Sequence, residues 1–286
     1  MKKLKISSSF NLHSYPKDNL KEYIREGFRF YKENGFEAID FGTTLLDLSS
    51  DAWREQAEDV LKAYDEFGIR CEMGHLPFIA GISKDESVMQ NFKDRVHRAI
   101  DAAAFLGIDY AVLHPNAANT PMRSYDPKAQ YDSVMELLSP FAEHAHRVGL
   151  NLVLENMRVV PGLFHVHRFG QTPDEICDVA DKLGMGICWD FGHANISGVK
   201  QSEALAYVGK RLKVIHVNDN VGIEDEHILP FTGNVDWRDA MHGLSLAEYE
   251  GLFNFELNLS RVPAAMRKVY AAYLIAAANE LMAYIE

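Results

Sequence analysis

A (β/α)8 barrel is the fold that this sequence of 286 residues predicts. Three observations carry it. Short apolar runs alternate eight times with longer stretches whose apolar residues fall at helical spacing. Five helix-to-strand joints share one form, a helix that ends in Gly with a strand starting one or two residues later: KENGFEAID, DEFGIRCEM, AFLGIDYAV, HRVGLNLVL and DKLGMGICW. The apolar runs are also continuous, as in parallel strands covered on both faces, and do not alternate with polar residues. Eight such units fit a closed barrel, which typically needs roughly 250 residues. An open doubly wound sheet is the second option, weakened because no Gly-rich phosphate fingerprint follows the first strand.

In chain order, the strands are expected at Leu4–Phe10, Phe36–Gly42, Ile69–Leu76, Ile108–Pro115, Leu150–Met157, Met185–His193, Arg211–Asp219 and Leu252–Asn258. The helix after the first strand, Asn19–Gly35, has Leu20, Tyr23, Ile24, Phe28 and Tyr31 at helical spacing. Trp53–Gly68 follows, then Ser87–Gly107, with Val88, Phe92, Val96 and Ile100 on one face. Asp126 caps a helix that begins with Pro127 and ends at Gly149. Thr172, Pro173 and Glu175 start another: a cap, a Pro at the first position and an acid at the third. Ser202–Lys210, Val235–Leu244 and Pro263–Ile285 complete the set. No linker or low-complexity stretch divides the chain, so residues 1–286 read as one domain.

Composition narrows the function classes. The hydrophobic fraction of 47% and charged fraction of 24% are those of a globular protein. The net charge of −12 argues against a nucleic-acid partner. Cys71, Cys177 and Cys188 form neither a CxxC pair nor a disulfide framework, which points to a reducing, cytoplasmic setting. No signal peptide and no membrane span is expected. A homo-oligomer is compatible with all of this.

The chemistry lies at the strand ends. His75, His114, Glu155, Asp190 with His193, His216 and Glu256 each close an apolar run, and Asp225 and His227 follow the seventh strand. In a barrel these ends converge on one mouth, where active sites sit. Carboxylates and imidazoles gathered in one cavity repel or go unsatisfied without a cation. Glu155, Asp190, His216 and Glu256 come from strands five to eight and can surround one divalent ion. Three oxygens and one nitrogen suit Mn, Mg, Co or Zn alike. His144, His146, His165, His167 and His242 read as surface or loop residues.

With LHP (His114), LEN (Glu155), WDFGH (Asp190, His193), IHVND (His216), DEHILPFTG (Asp225, His227) and FEL (Glu256), the chain from about Phe36 onward resembles the xylose isomerase-like barrels. That family includes sugar isomerases and epimerases and the type IV apurinic endonucleases. In the epimerase branch, the positions matching Glu155, Asp190, His216 and Glu256 hold one catalytic metal. In the endonuclease branch, those matching His75, His114 and Glu155 hold a second ion, and those matching His193, Asp225 and His227 a third. HILPFTGNVDW, NFELN and SRVP resemble the sugar branch, and the apolar loop LPFIAGI after His75 suits a pocket wall. The ketose 3-epimerases place an Arg six residues after the strand-seven His and a Glu six after the strand-five Glu. Here those positions are Gly222 and Pro161, so that subfamily's substrate contacts do not transfer.

The resemblance implies a metal-dependent isomerase or epimerase of a sugar, sugar acid or sugar phosphate. Glu155 and Glu256 would be the bases that remove a proton next to a carbonyl, through an enediolate. His193, His75, His114 and His227 would contact substrate, with one ion as the expected occupancy. Trp189, Phe78 and Trp237 are candidates for apolar walls against a sugar face and equally for core positions. The alternatives are a zinc phosphodiesterase of DNA repair, or a barrel lyase or deglycosidase using the same deprotonation.

Overall fold

The computed structural model describes residues 3–13, 19–79, 83–117, 120–160, 166–259 and 262–285. Eight parallel strands curl into a nearly closed barrel: β1 (Ile6–Ser9), β2 (Ala38–Gly42), β3 (Cys71–His75), β4 (Tyr110–Leu113), β5 (Asn151–Glu155), β6 (Gly186–Asp190), β7 (Leu212–His216) and β8 (Phe253–Phe255). The neighbours run β8-β1-β2-β3-β4-β5-β6-β7. The last seam is thin. It is a single bridge in which the Val217 N–H donates to the Asn254 carbonyl (2.8 Å) and the Glu256 N–H to the Val217 carbonyl (3.2 Å).

Helices cover the outside: α1 (Leu20–Glu33), α2 (Trp53–Phe67), α3 (Glu86–Phe105), α4 (Pro127–Val148), α5 (Pro173–Leu183), α6 (Phe191–Ile196), α7 (Gln201–Val208), α8 (Trp237–Leu246) and α9 (Arg267–Met282). α1 buries Tyr23, Ile24, Phe28 and Tyr31 as the spacing predicts. In α3, Phe92, Val96 and Ile100 are buried, but Val88, in the first turn, is 45% exposed. All five glycines of the repeated joint, Gly35, Gly68, Gly107, Gly149 and Gly184, have positive φ, the left-handed turn that stops a helix without a Cβ clash.

The helix starts are mixed. The Asp126 carboxylate accepts from the Ala129 N–H (3.1 Å), as expected of a cap. Thr172 holds the cap position of α5 but makes no side-chain cap bond, and Glu175 reaches back to the Gly170 N–H instead (2.8 Å). The sixth strand stops at Asp190, three residues short of the expected end. From there the Asp190 carboxylate accepts from the His193 N–H (2.6 Å) and starts α6.

Strand alternation sets the layers. Met73, Val112, Val153, Cys188 and Val214 pack together as an apolar floor inside the barrel. Two residues further along the same five strands, and so facing the same interior, come His75, His114, Glu155, Asp190 and His216. The residue between Cys188 and Asp190 must then face the helices. Trp189 does so, buried at 1% exposure with its indole N–H donating to the Gln201 side chain (3.0 Å), and it is core and not a pocket wall.

Candidate functional site

Glu155, Asp190, His216 and Glu256 meet at the mouth, with one ligand atom from each lying within 4.8 Å of the others. The His216 Nδ1 is the hub: 3.1 Å from Glu256 Oε2, 3.3 Å from Glu155 Oε1 and 3.8 Å from Asp190 Oδ2. Asp190 and His216 are fully buried and Glu155 nearly so, whereas Glu256 is partly open to solvent.

Neighbours fix each ligand. The Cys188 thiol faces His216 Nε2 at 3.5 Å and turns Nδ1 toward the carboxylates. Burial pushes that thiol's pKa up, so it stays protonated. Asn218 donates to Asp190 Oδ2 (2.7 Å). Asn156 ties β5 to β6 by accepting from the Asp190 N–H (2.6 Å) and donating to the Asp190 carbonyl (3.0 Å). A Cβ at Gly192 would collide with Asn218 and Asn220, which explains the Gly in WDFGH. Asp219 accepts from the N–H groups of Asn220 (2.9 Å) and Val235 (3.1 Å) and from the Trp237 indole (3.2 Å). Those bonds fold back the loop that carries Asp225 and His227, so Trp237 is its buried anchor and not a wall of the mouth.

The remaining histidines ring this centre. His75 Nδ1 bonds Asp40 Oδ1 at 2.9 Å, its Nε2 lies 3.5 Å from Glu256 Oε1, and its ring stacks on His216 at 4.8 Å. His114 Nε2 lies 3.1 Å from Glu155 Oε2. His193 Nδ1 donates to the Asn156 carbonyl (2.8 Å), and its Nε2 faces Asp225 (3.4 Å). His227 Nε2 lies 3.0 Å from the other Asp225 oxygen, and Arg158 Nε pairs with Asp225 at 2.9 Å.

All nine residues expected at one mouth are therefore there. Their grouping is less even than the expectation of further ions. Among the described residues, the compact ligand groups are the four-residue set and the triads Asp40–His75–His216, Glu155–Cys188–His216 and Asp190–His193–His227. His75, His114 and Glu155 do not form one, since His75 is turned to Asp40 and Glu256. Asp225 is engaged by two imidazoles and a guanidinium.

The four-residue set fits a divalent cation. His216 Nδ1 and Glu155 Oε2 are buried against other members of the mouth, 3.1 Å from Glu256 and His114 respectively, but make no well-directed hydrogen bond. Burial makes Asp190 hard to ionise, with the Glu155 and Glu256 charges adding to the effect, so it titrates above the usual Asp range despite His193 and His227. Burial also opposes the Glu155 charge, but His114 and His216 outweigh it and hold this carboxyl well below its usual range. Likewise burial opposes protonation of His227, yet the Asp225 contact and the Glu256 and Asp190 charges push its pKa up to about 10. Histidines held in their protonated form beside these carboxylates supply positive charge that a bound cation would also supply.

A cavity of about 370 Å³ is lined by Phe10, Asp40, Leu45, His75, His227 and Glu256. Another of about 660 Å³ adjoins it along Asp225, His227, Leu229, Val262 and Tyr270. Both are of the size that small ligands occupy. Phe78 is 47% exposed, with its ring 4.6 Å from that of His114, and residues 80–82 of the same loop lie outside those described. Val166–His167 pairs antiparallel with Thr120–Pro121 and links the loops after β4 and β5. His167 is not a free loop residue, because Glu175 Oε1 holds its Nε2 at 2.8 Å and also accepts from the Tyr125 hydroxyl. His144 is half-buried between His97 (2.8 Å) and Asp101 (2.9 Å), His146 and His242 are exposed, and His165 lies outside the described residues.

Sequence reasoning missed Asp40, Arg158, Arg168 and Cys188. A charged Asp inside the apolar run FEAIDFG was the available signal for Asp40. Cys188 follows from counting two back from Asp190. The two arginines sit in a loop without periodicity, and nothing local marked them.

Comparison with known proteins agrees with this architecture. A solved 3-keto-D-glucoside 4-epimerase of Escherichia coli superposes with a TM-score of 0.73 at 21% identity, over 96% of this chain and 100% of that one. A D-allulose 3-epimerase of Methylomonas gives 0.77 at 18% identity, over 98% and 99%. Among curated sequences, an uncharacterised protein of Methanocaldococcus jannaschii is 27% identical over 207 residues, 70% of this chain and 69% of that protein. A fructoselysine 3-epimerase of Shigella flexneri is 24% identical over 194 residues, 60% of this chain and 61% of that enzyme, so the match spans less than two thirds of its length. The family model described as xylose isomerase-like TIM barrel matches residues 28–274, and with the fold and mouth above, this places the chain in the xylose isomerase-like TIM-barrel family.

Proposed function

We propose that this protein is a divalent-metal-dependent isomerase or epimerase of a sugar or sugar derivative. Glu155, Asp190, His216 and Glu256 would hold one cation per chain. When bound, that cation supplies positive charge against the negative charge that develops on substrate oxygens as a neighbouring C–H is deprotonated.

The observation that carries the reading is the way the two glutamates divide their oxygens. Glu155 Oε1 and Glu256 Oε2 face His216 Nδ1 in the ligand cluster. Glu155 Oε2 faces His114 and Glu256 Oε1 faces His75. Each carboxylate thus keeps a second oxygen, outside the cluster, beside its own imidazole. Two such groups, at the ends of β5 and β8, can take a proton from one face of a carbon and return one to the other. Asp40 pins the His75 ring and keeps its Nε2 directed at Glu256. His193, anchored by the Asn156 carbonyl, is placed to bind a substrate hydroxyl. Support for one ion and not three comes from Arg158, whose guanidinium already compensates Asp225.

The test is exchange of a substrate C–H proton with deuterium from solvent, in metal-loaded protein, across a panel of ketoses and keto acids. Exchange should occur and should be lost in Glu155→Gln and in Glu256→Gln. Cleavage of a duplex containing an abasic site, with no exchange on any sugar, would overturn the reading in favour of a phosphodiesterase. Elemental analysis should give about one ion per chain, and anomalous scattering from three ions sharing Glu155 would refute the single-ion assignment.

A further inference from the structure

Among the described residues, Arg158 and Arg168 both lie near the acidic mouth, and they are not equivalent. Arg158 is neutralised, its Nε 2.9 Å from Asp225. Arg168 has no carboxylate within 4.0 Å among the described residues, and its recorded contact is with a ring: its Cζ lies 5.8 Å from the centre of Phe78. Phe78 in turn packs 4.6 Å from His114, whose Nε2 is 3.1 Å from Glu155. That chain of contacts puts the guanidinium at the rim on the Glu155 side of the ligand cluster.

Its backbone is held on both sides. Glu175 binds the His167 ring just before Arg168 and the Gly170 N–H just after it (2.8 Å each), and the Val166–His167 pairing with Thr120–Pro121 steadies the same loop. A half-buried guanidinium on an anchored loop is costly to keep without an anion, and burial together with the nearby Arg158 lowers its pKa from the usual Arg range. Arginine stays charged even so, and its planar fork matches the two oxygens of a carboxylate or a phosphate. A guanidinium that lacks a carboxylate within 4.0 Å among the described residues is the kind of group an oxyanion satisfies.

We propose that Arg168 receives an oxyanion carried by the substrate, so that the sugar acted on is acidic, a phosphate ester or a carboxylate, and not neutral. The inference rests on the isomerase reading above and adds the substrate class to it. Phosphate and carboxylate share the recognition chemistry, and the experiment separates them.

Titration calorimetry on the metal-loaded protein would use three ligands of one carbon skeleton: a five-carbon ketose, its terminal phosphate ester and the corresponding five-carbon keto acid. One of the two acidic ligands should bind at least about 10-fold tighter than the neutral ketose, and the one that does identifies the group. Arg168→Gln should cut that preference by about 10- to 100-fold, and Arg168→Lys, which keeps the charge without the fork, should cut it less. Raising the salt concentration should weaken the acidic ligand more than the neutral one. The ratio of two ligands in one protein sample is insensitive to a reduced folded fraction, so a variant that folds poorly still reports.

A wild-type protein that binds the neutral ketose as tightly as both acidic forms would overturn the proposal. So would an Arg168→Gln variant that loses acidic and neutral ligands equally, which is the signature of a structural role. Tighter, Arg168-dependent binding of an abasic-site duplex than of any sugar would also overturn it, by assigning the cation to a nucleic-acid backbone. Solvent exchange on the neutral ketose alone sinks this inference and leaves the isomerase reading standing. Arg168-dependent binding of an acidic ligand without exchange on any compound supports the anion receptor and sinks the isomerase reading.

Discussion

The two ends of this barrel are built from the same eight strands and treat charge in opposite ways. At the N-terminal end, Lys3, Lys5, Glu72, Lys213 and Glu250 surround a shallow recess above the Met73 and Val214 side of the floor, and Lys5 pairs with Glu72 at 2.7 Å with the lysine 55% exposed. At the C-terminal end, Asp190 and His216 are fully buried and Glu155 is 1% exposed. Exposed pairs are screened and contribute little. Buried carboxylates crowded around one imidazole destabilise the fold unless something compensates them. The comparison teaches that the mouth is arranged for a ligand, and the opposite end for solubility and packing.

Substitutions can break this contrast, and they rank by expected size. Glu155→Gln and Glu256→Gln should each slow solvent exchange by about 10²- to 10⁴-fold, as expected for loss of a general base. Their melting temperatures in the absence of metal should stay near or above that of the wild type, because an uncompensated charge has been removed. A variant exchanging at the wild-type rate would show that the mouth does not use that carboxylate.

On the other side of the contrast, Met73→Ala in the barrel floor should cost about 2–5 kcal/mol in denaturant unfolding, the usual range for emptying a packed core position. It should leave the metal content at one ion per chain. Loss of metal together with stability would mean that the floor and the mouth are not separable.

Adding divalent cation at about 100 times its dissociation constant should raise stability by about 2.7 kcal/mol, since the ion binds only the folded chain. A chelator should reverse this, and Asp190→Ala should abolish it. An unfolding midpoint indifferent to chelator would remove the cation from the account of the mouth.

Glu175→Gln tests the staple between the loops after β4 and β5, and should cost about 1–2 kcal/mol at neutral pH. Burial opposes the Glu175 charge, but bonds from His167, Tyr125 and the Gly170 N–H outweigh it and lower its pKa in the folded state. A lowered folded-state pKa gives stability that is fully present above the unfolded value of about 4.3 and is lost as pH falls through the folded value. The difference between wild type and variant should therefore be constant from pH 7 to about 5 and shrink below about 4. A gap that widened in acid would refute the assignment. At the small end, Lys5→Ala should change stability by no more than about 0.5 kcal/mol.

The sequence by itself determined the strand and helix order, the Gly stops and the nine polar residues of the mouth. Each of these is written locally: a helix face repeats every three to four residues, a glycine marks a left-handed turn, and an apolar run that ends in His, Asp or Glu delivers that side chain to a strand end. Local pattern also explains the errors. WDFGH reads as one continuing strand until Asp190 turns its carboxylate on the His193 N–H, and Trp189 and Trp237 look like walls until strand alternation and Asp219 send them inward. Tertiary structure alone decided who meets whom. Asp40 reaches His75 across 35 residues, Glu175 reaches Tyr125 across 50, Arg158 reaches Asp225 from another loop, and Arg168 lies beside Phe78 with no carboxylate within 4.0 Å among the described residues. Those pairings depend on the closure of the barrel and on loop paths with no period of their own, so no window of the sequence contains them.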